Sequence, residues 1–233
     1  MQNETKKELH TQMWKIENPK DFTAHDREVL EKAAKIIRAG GLVAFPTETV
    51  YGYRANALDE AAAKKIYAAK GRPSDNPLIA HVSCLEEIAP LVSNMPENGK
   101  KLAKAYWPGP MTMVFPKSAI VPYGTTGGLD TVAIRMPSDP IAARVNPSVR
   151  RADRGSGVRI HRDAISPTRA DHVLQDMDGK IDAIIDGGPV GIGLESTIVD
   201  VTGGNADGFK AGCDRPWRCC VKRSGKSALI RRF

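Results

Sequence analysis

The sequence predicts an α/β protein, with strands and helices interspersed along the chain and a sheet at the centre. Short apolar runs alternate with segments of helical periodicity. The length of 233 residues suits one sizeable domain with its own core and short appendages. The run from Pro46 to Gly52 places hydroxyls, a carboxylate and a glycine at the end of a buried strand. Open α/β sheets present small-molecule sites at such strand ends.

The helices are predicted from apolar periodicity and from residues that favour helix ends. The first carries its apolar residues on one face and ends at Gly40 and Gly41. Asp59 is a good N-cap for the alanine-rich second helix. Thr168, with Asp171 three residues later, resembles a capping box at the start of the last helix. The predicted helices cover residues 27–38, 60–69, 85–92, 97–106 and 168–177.

Six short apolar runs are predicted to be strands because turn residues bound them. The first run meets Pro46 and turns polar, and the second delivers His81 near its end. No internal repeat is present along the chain. The predicted strands cover residues 42–46, 78–82, 111–115, 131–136, 182–185 and 197–201.

A second polar run follows the helix 60–69 and carries closely spaced cations. Lys70 and Arg72 flank Gly71 in a turn rich in glycine and proline. An arginine fork and a lysine point charge can share the oxygens of a polyphosphate. A basic turn taken alone is also common on a solvated surface, so its significance depends on the polar run that precedes it.

Six sequence blocks, in this order, resemble the YrdC family. The resemblance covers residues 35–203 with one interruption, and it implies a single domain with a twisted mixed sheet, flanking helices and a concave substrate site. The blocks are Pro46 to Gly52, Lys70 to His81, Trp107-Pro108-Gly109-Pro110-Met111-Thr112, Thr131 to Pro137, Ser166-Pro167-Thr168 with Asp186-Gly187-Gly188, and Glu195-Ser196-Thr197-Ile198-Val199.

The resemblance implies a nucleotidyltransferase that makes L-threonylcarbamoyl-adenylate from L-threonine, bicarbonate and ATP and releases pyrophosphate. The product serves the threonylcarbamoyladenosine modification of tRNA, so tRNA threonylcarbamoyl-transfer proteins are implied as downstream partners. ATP is then a substrate, and Mg²⁺ is carried on its phosphates. This reaction needs no covalent enzyme nucleophile. The protein instead positions two anions, the carbamate of threonine and ATP, and offsets their repulsion with positive charge.

The family's functional positions are matched by two groups of residues in this chain. Arg135 also has a structural alternative, because an arginine that ends a buried strand needs an anionic partner. Likewise Thr49 is open to a packing role, and His81 to that of a core histidine. The residues implied for L-threonine are Thr49, His81, Arg135 and Ser196. The residues implied for ATP are Lys70, Arg72, Asn76, Thr131, Ser166, Thr168 and Arg215, with Lys70 and Arg72 also assigned to catalysis.

Two segments, 144–165 and 208–233, depart from the family pattern. The family has a buried strand that ends in Ser-Ala-Asn in the first segment, and this chain has no Ser-Ala-Asn. In the second, the family's Leu-Arg-Pro-Gly is matched only at Arg215 and Pro216. Arginine and cysteine enrichment with loss of pattern suggests a shifted reading frame, with divergence as the alternative hypothesis. Resequencing of the gene tests this, and an intact, unshifted frame contradicts it.

A smaller departure lies in the first block. The family usually continues Tyr-Gly-Leu-Gly, whereas this chain has Tyr51-Gly52-Tyr53-Arg54. If the position of Arg54 requires a positive φ, an arginine there costs roughly 1 kcal/mol or more. Alternatively, Arg54 could add a cation beside the phosphates. The sequence leaves both alternatives open.

The net charge of +7 is concentrated in the two departing segments. Residues 144–165 carry six arginines and two aspartates, and residues 209–233 carry eight Lys or Arg and one aspartate. These segments contribute +4 and +7, which leaves −4 for the rest of the chain. A double-stranded RNA or tRNA-binding module is therefore a disfavoured alternative. A family-shaped chain inactivated by the loss of Ser-Ala-Asn is a second alternative.

The predicted organisation is an N-terminal extension, 1–26, a YrdC-like domain, 27–207, and a basic tail, 208–233. The polar start resembles no secretory signal, and no apolar stretch approaches the ~20 residues of a membrane span. We therefore expect a cytoplasmic protein. No metal site is predicted, because the four cysteines lack the spaced pairs of a zinc site.

Overall fold

The computed structural model describes residues 10–71, 74–145, 157–159, 167–203 and 207–210, with the backbone alone for 157–159 and 207–210. Within this part of the chain, two sheets pack with helices. The helices are α1 (Ala24–Arg38), α2 (Glu60–Lys70), α3 (Glu97–Tyr106), α4 (Tyr123–Thr126), α5 (Pro140–Arg144) and α6 (Ala170–Met177). The strands are β1 (Gln12–Lys15), β2 (Val43–Phe45), β3 (Gly52–Arg54), β4 (Ile79–His81), β5 (Met111–Pro116), β6 (Thr131–Arg135), β7 (Gly157–Arg159), β8 (Ala183–Asp186), β9 (Thr197–Asp200) and β10 (Asp207–Lys210).

Both sheets are mixed, which confirms the predicted α/β class. The first sheet has the order β1-β8-β2-β3, and the second has the order β10-β9-β5-β6-β4-β7. In the first sheet β2 and β3 pair antiparallel, whereas β8 pairs parallel with both β1 and β2. In the second sheet β4 pairs parallel with β6, and β5 pairs parallel with β9. The antiparallel pair β5–β6 joins these two parallel pairs.

The first sheet is buried on both faces, which explains why its central strands are apolar runs. Val43 and Ile185 pack in a core cluster with α1. Their strand neighbours Ala44 and Ile184 pack in another cluster with α2 and α6. This alternation follows from the period of two along a strand. The second sheet has its own cluster, which includes Met113, Ile134 and Ala103 of α3.

Several helix predictions are confirmed at their ends. Helix α3 spans the predicted residues, and the Asp59 carboxylate caps α2 by accepting from two backbone N–H groups. Helix α1 begins three residues earlier than predicted because Thr23 and Asp26 form a capping box. The backbone after α2 turns at Gly71, which has a φ of 60°.

Two helix predictions are wrong. Of the predicted helix 85–92, the structure forms only a 3₁₀ turn, Leu85–Glu87. Pro90 explains this, since proline lacks an N–H and clashes with the preceding turn. The predicted cap at Thr168 is also wrong, because α6 begins after Arg169 and has no side-chain cap.

Among the described residues, the strands β1, β3, β7 and β10 lie in parts of the chain that the sequence pattern left unassigned. Strand β1 belongs to residues 1–26 and pairs parallel with β8 at the edge of the first sheet. Strand β7 belongs to residues 144–165, and its backbone pairs antiparallel with β4. A strand therefore lies where the resemblance places one, although the domain boundaries themselves stay a prediction. Among the described residues, no helix is long and apolar enough to cross a membrane.

Candidate active site

The four residues predicted to contact L-threonine lie at one edge of the second sheet. His81 ends β4 and is the register partner of Arg135, which ends β6. Arg135 is in turn the partner of Thr112 near the start of the antiparallel strand β5. Side chains of register partners project from the same face. The structure thus brings His81 and Arg135 together, both at most 1% exposed.

The loop between β2 and β3 brings Thr49 to this edge. The Thr47 hydroxyl donates to the Val50 carbonyl at 2.7 Å and accepts from the backbone N–H of Thr49 and of Val50. Because Thr47 has one hydroxyl proton, the Thr49 hydroxyl is the donor in the 2.9 Å contact between the two side chains. The threonine pair therefore folds the loop back on itself and fixes the Thr49 hydroxyl.

Arg135 is fully buried and is held at three of its nitrogens. Its Nε donates to the Gly109 carbonyl at 3.2 Å, and its Nη1 donates to the Thr49 hydroxyl at 2.9 Å. Its Nη2 lies 2.6 Å from Glu48 Oε1. Burial lowers the pKa of Arg135, and the Glu48 charge opposes that shift. The anionic partner that the sequence required for a buried arginine is therefore Glu48, one residue before Thr49.

Ser196, the residue directly before β9, reaches the same edge. The Thr112 hydroxyl donates to Ser196 Oγ at 2.9 Å, and both side chains are buried. Since Ser196 accepts from Thr112, its own proton can be donated to a ligand. All four predicted threonine contacts thus lie in one cluster, together with Glu48.

Residues after β8 fix the backbone of the Glu48–Thr49 loop. The N–H groups of Ile192 and Gly193 each donate at 2.9 Å, to the carbonyls of Glu48 and Thr49 respectively. The Tyr51 hydroxyl donates to the Gly188 carbonyl at 2.7 Å. A Cβ on Gly187 would overlap the end of the Ile141 side chain and lie 2.8 Å from the Pro46 ring, so a larger residue here requires these side chains to shift. The first and later sequence blocks therefore form one structural unit.

Asp139 places a second carboxylate, besides Glu48, near this cluster. Its side chain caps α5 by accepting from the backbone N–H groups of Ile141 and Ala142. Burial raises the pKa of Asp139 to about 6; the charge of Glu48 adds to this shift, and the two backbone donors and Arg135 oppose it. The charge at the edge of the site therefore changes in mildly acidic solution.

We expect Asp139→Asn to change how stability depends on pH. The pKa of Asp139 is about 6 in the folded protein and 3.8 ordinarily, so the folded state binds this proton more tightly than the unfolded state does. The free energy of unfolding of wild type therefore falls as the pH rises from about 4 to about 6. Asparagine keeps the helix cap but does not titrate there. The variant's unfolding free energy, relative to wild type, should increase by up to roughly 3 kcal/mol between pH 4 and pH 7. Urea denaturation at both pH values measures it, and a difference independent of pH contradicts the assignment.

On the predicted nucleotide side, Lys70 ends α2 and contacts Tyr53. The Lys70 ammonium lies 4.5 Å from the centroid of the Tyr53 ring, within cation–π range. Both residues line a pocket of about 420 Å³, together with Pro167, which directly precedes Thr168. A pocket of this volume is large enough for a small organic ligand. Lys70 and Pro167, the residue before Thr168, therefore line one pocket.

Thr131 lies at the opposite end of β6 from Arg135, four residues away, or ~13 Å along the strand. Asn76 is exposed in the turn after α2, and its carbonyl accepts from the Tyr67 hydroxyl at 2.7 Å. The next residues pack near α4, where the Leu78 N–H donates to the Thr125 carbonyl at 2.9 Å. Arg72, Ser166 and Arg215 lie outside the described residues, so their assignments stay predictions.

Arg54 does not follow either alternative drawn from the sequence. It lies in β3, paired with Val43, and it does not have a positive φ. Its side chain is buried over the Phe45 ring at 5.3 Å, and its Nη1 donates to the Ala142 carbonyl at 2.9 Å. Because Tyr53 faces Lys70, the alternation of a strand directs Arg54 to the opposite face. Burial lowers the pKa of Arg54 to about 10.

Sequence reasoning missed Glu48 and Thr112 as site residues. Both stand inside recognised blocks, and Glu48 carries a negative charge directly beside the predicted substrate contact Thr49. Glu48 could have been found from the sequence, because a buried arginine requires an anionic partner. Across the described ranges, no three His, Cys, Asp or Glu side chains group as metal ligands would.

Comparisons with known proteins show the family to which this chain belongs. Residues 35–212 match the family model Sua5_yciO_yrdC, described as Telomere recombination. The chain therefore belongs to the Sua5/YciO/YrdC family, which confirms the resemblance found in the sequence blocks. The mixed α/β fold is also that of solved Sua5 structures.

Several relatives are named threonylcarbamoyl-AMP synthase, among them two that cover most of this chain. The protein of Pyrococcus abyssi is 54% identical over 170 residues, which are 73% of this chain and 50% of that protein. The protein of Bacillus subtilis is 43% identical over 198 residues, which are 82% of this chain and 55% of that protein. This chain thus spans about half the length of these relatives.

Among solved structures, P. abyssi Sua5 complexed with L-threonine superposes with a TM-score of 0.79 at 45% identity. The match covers 86% of this chain and 57% of that one. The two proteins therefore share the same fold over the matched part. The bound L-threonine was observed in the P. abyssi protein.

Proposed function

We propose that this chain synthesises L-threonylcarbamoyl-adenylate from L-threonine, bicarbonate and ATP, with release of pyrophosphate. The observation that carries the proposal is the buried cluster at the edge of the second sheet. Thr49 contacts Arg135 directly, His81 is the register partner of Arg135, and Ser196 bonds to the Arg135 neighbour Thr112. The relatives named threonylcarbamoyl-AMP synthase and the L-threonine complex of P. abyssi Sua5 support the assignment.

The cluster offers the groups that L-threonine requires. A guanidinium fixed at Nε and Nη1 can bind the α-carboxylate with little loss of side-chain entropy. The hydroxyls of Thr49 and Ser196 have remaining hydrogen-bonding capacity for a small polar side chain. Because these groups are buried, their interactions with a charged ligand are stronger than the same contacts in water.

The proposed reaction must bring together two anions, the carbamate formed from L-threonine and ATP. The substrate ammonium first releases a proton to solvent. The resulting amine attacks the carbon of bicarbonate and forms a carbamate, with loss of water. A carbamate oxygen then attacks the α-phosphorus of ATP, and the bond from that phosphorus to the bridging oxygen of pyrophosphate breaks. The protein's part is to align the two anions and to offset their repulsion.

Lys70, with Arg72 beyond it in the sequence, is the proposed source of that positive charge. Lys70 lines the 420 Å³ pocket, and its ammonium lies over the ring of Tyr53, which lines the same pocket. The Mg²⁺ of the reaction would be held by the ATP phosphates with water as its other ligands, and would neutralise phosphate charge. Such an ion requires no cluster of protein carboxylates.

We expect Lys70→Ala and Arg72→Ala to weaken ATP more than L-threonine. Each charge-assisted hydrogen bond contributes about 1.5–3 kcal/mol, so each variant should weaken ATP by roughly 10- to 100-fold. Calorimetric titration of both ligands measures the effect. Lys64→Ala is the matched control, since Lys64 is an exposed cation on the same helix. Equal losses for ATP and L-threonine would show that the two subsites are not separate.

The proposed cellular role is the supply of an activated threonylcarbamoyl group for tRNA modification in the cytoplasm. A mixed acyl-phosphate product is reactive toward water, so a tRNA threonylcarbamoyl-transfer protein is the proposed direct consumer. Incubation with L-threonine, bicarbonate, ATP and Mg²⁺ tests the proposal when products are measured by mass spectrometry. We expect the adenylate and pyrophosphate in equal amounts, and only with all three substrates. ATP cleavage that does not depend on L-threonine contradicts the proposed function.

A further inference from the structure

The Glu48–Arg135 pair contains buried polar atoms without a hydrogen-bond partner in the described structure. These atoms are both carboxylate oxygens of Glu48 and Nη2 of Arg135. The 2.6 Å separation of Nη2 from Oε1 is that of an ion pair, although the N–H does not point at the oxygen. Buried polar atoms of a folded protein are nearly always hydrogen-bonded. A polar ligand that bonds to both groups would meet this requirement.

The two groups carry opposite charges side by side. Their arrangement matches an α-amino acid, whose carboxylate and ammonium are attached to the same carbon. Nε and Nη1 of Arg135 already bond to Gly109 and Thr49, so Nη2 is the nitrogen available to a carboxylate. The Glu48 carboxylate is the complementary group for an ammonium.

The partners differ in their freedom to move. The Arg135 side chain has no exposed surface, whereas the Glu48 side chain is 15% exposed. The Glu48 main chain is fixed, since its carbonyl accepts from the Ile192 N–H at 2.9 Å. A rotation of the Glu48 side chain can therefore release Nη2 without moving the loop or the arginine.

From these observations we propose that Glu48 binds the α-ammonium of the substrate amino acid. The inference rests on the proposed function and extends it to a residue that positions the reacting amine. On binding, the substrate carboxylate replaces Glu48 at Nη2, and Glu48 turns to the ammonium on the adjacent carbon. Every buried charge then keeps a partner of opposite sign. Glu48 thereby selects amino acids over hydroxy acids of the same shape.

The affinities of two ligands for two proteins, measured by calorimetric titration in all four combinations, test this role. The ligands are L-threonine and (R)-3-hydroxybutanoate, which keeps the carboxylate and hydroxyl but lacks the amine. The proteins are wild type and Glu48→Gln, which keeps the side-chain volume and removes the charge. We expect wild type to prefer L-threonine by about 10- to 100-fold, the contribution of one charge-assisted hydrogen bond. In Glu48→Gln the preference should fall to about threefold or less.

The outcomes separate this inference from the function on which it rests. Failure of wild type to bind L-threonine overturns the proposed function, and the Glu48 role with it. If Glu48→Gln weakens both ligands equally and keeps the preference for L-threonine, only the Glu48 role is overturned. Glu48 would then serve only to hold the Arg135 side chain in place. Glu48→Asp keeps the charge and should retain a preference. Glu97→Gln, at an exposed carboxylate paired with Lys100, should leave both affinities unchanged.

Discussion

Arg135→Ala should abolish detectable binding of L-threonine. The substituted side chain has no exposed surface and holds Thr49, Glu48 and the Gly109 carbonyl in one arrangement. Removal of one partner from a buried charge pair typically costs about 3–5 kcal/mol. The same loss in binding free energy lowers affinity by roughly 150- to 5,000-fold. Calorimetric titration with L-threonine measures it.

Arg135→Ala also leaves Glu48 without its counter-ion, which destabilises the folded protein. Circular dichroism and thermal unfolding therefore check that this variant and those below are folded. Arg135→Lys provides a second variant, since it keeps the charge but not the planar fork; we expect it to fold and to bind weakly. Arg38→Ala removes an exposed arginine at the end of α1 and should bind as wild type does. An unchanged affinity in folded Arg135→Ala would reject the assignment of Arg135 to the substrate carboxylate.

The second large effect concerns residues 144–165, where the family's Ser-Ala-Asn is missing. Family contacts to both the nucleotide and L-threonine are implied there, and each lost hydrogen bond costs ~1 kcal/mol or more. With two to three bonds lost, synthesis of the adenylate should be roughly 100-fold slower than in a chimaera with the family segment restored. The segment of the P. abyssi relative is the natural replacement. The rate of pyrophosphate release that depends on both L-threonine and bicarbonate gives the comparison.

A segment of equal length and scrambled order controls for the exchange itself and should give no gain. Equal rates for the native chain and the restored chimaera would mean that residues 144–165 supply an equivalent site or have no part in the reaction. A rate that appears only in the chimaera would identify the native chain as a family-shaped but inactive protein.

Much of the fold could be predicted because its central strands are short apolar runs and its helices have clear ends. Helix α3 and the Asp59 cap follow directly from such signals. Strand β1 could not be predicted, since its residues are mostly exposed at a sheet edge and show no apolar alternation. Strand β3 has three residues and ends in arginine, which is too short for periodicity to be recognised. Pro90 was the unused signal against the helix 85–92.

The site was predictable in its residue types more than in its contacts. Arg135 ends a buried strand, so its guanidinium was expected to have an anionic partner. The strand pattern does not say which carboxylate reaches Arg135. Only the folded loop shows that Glu48 does so, because the Thr47 hydroxyl turns the chain back. The pairing of Thr112 with Ser196 depends on strand register, which joins residues 84 positions apart. Such long-range contacts leave no local trace in the sequence.

The most direct test of the central claim is a crystal structure of this chain with L-threonine bound. We expect the amino acid among Thr49, His81, Arg135 and Ser196, with its carboxylate within hydrogen-bond distance of Arg135. L-Threonine bound at another place, or at this edge without a contact to Arg135, would contradict the account.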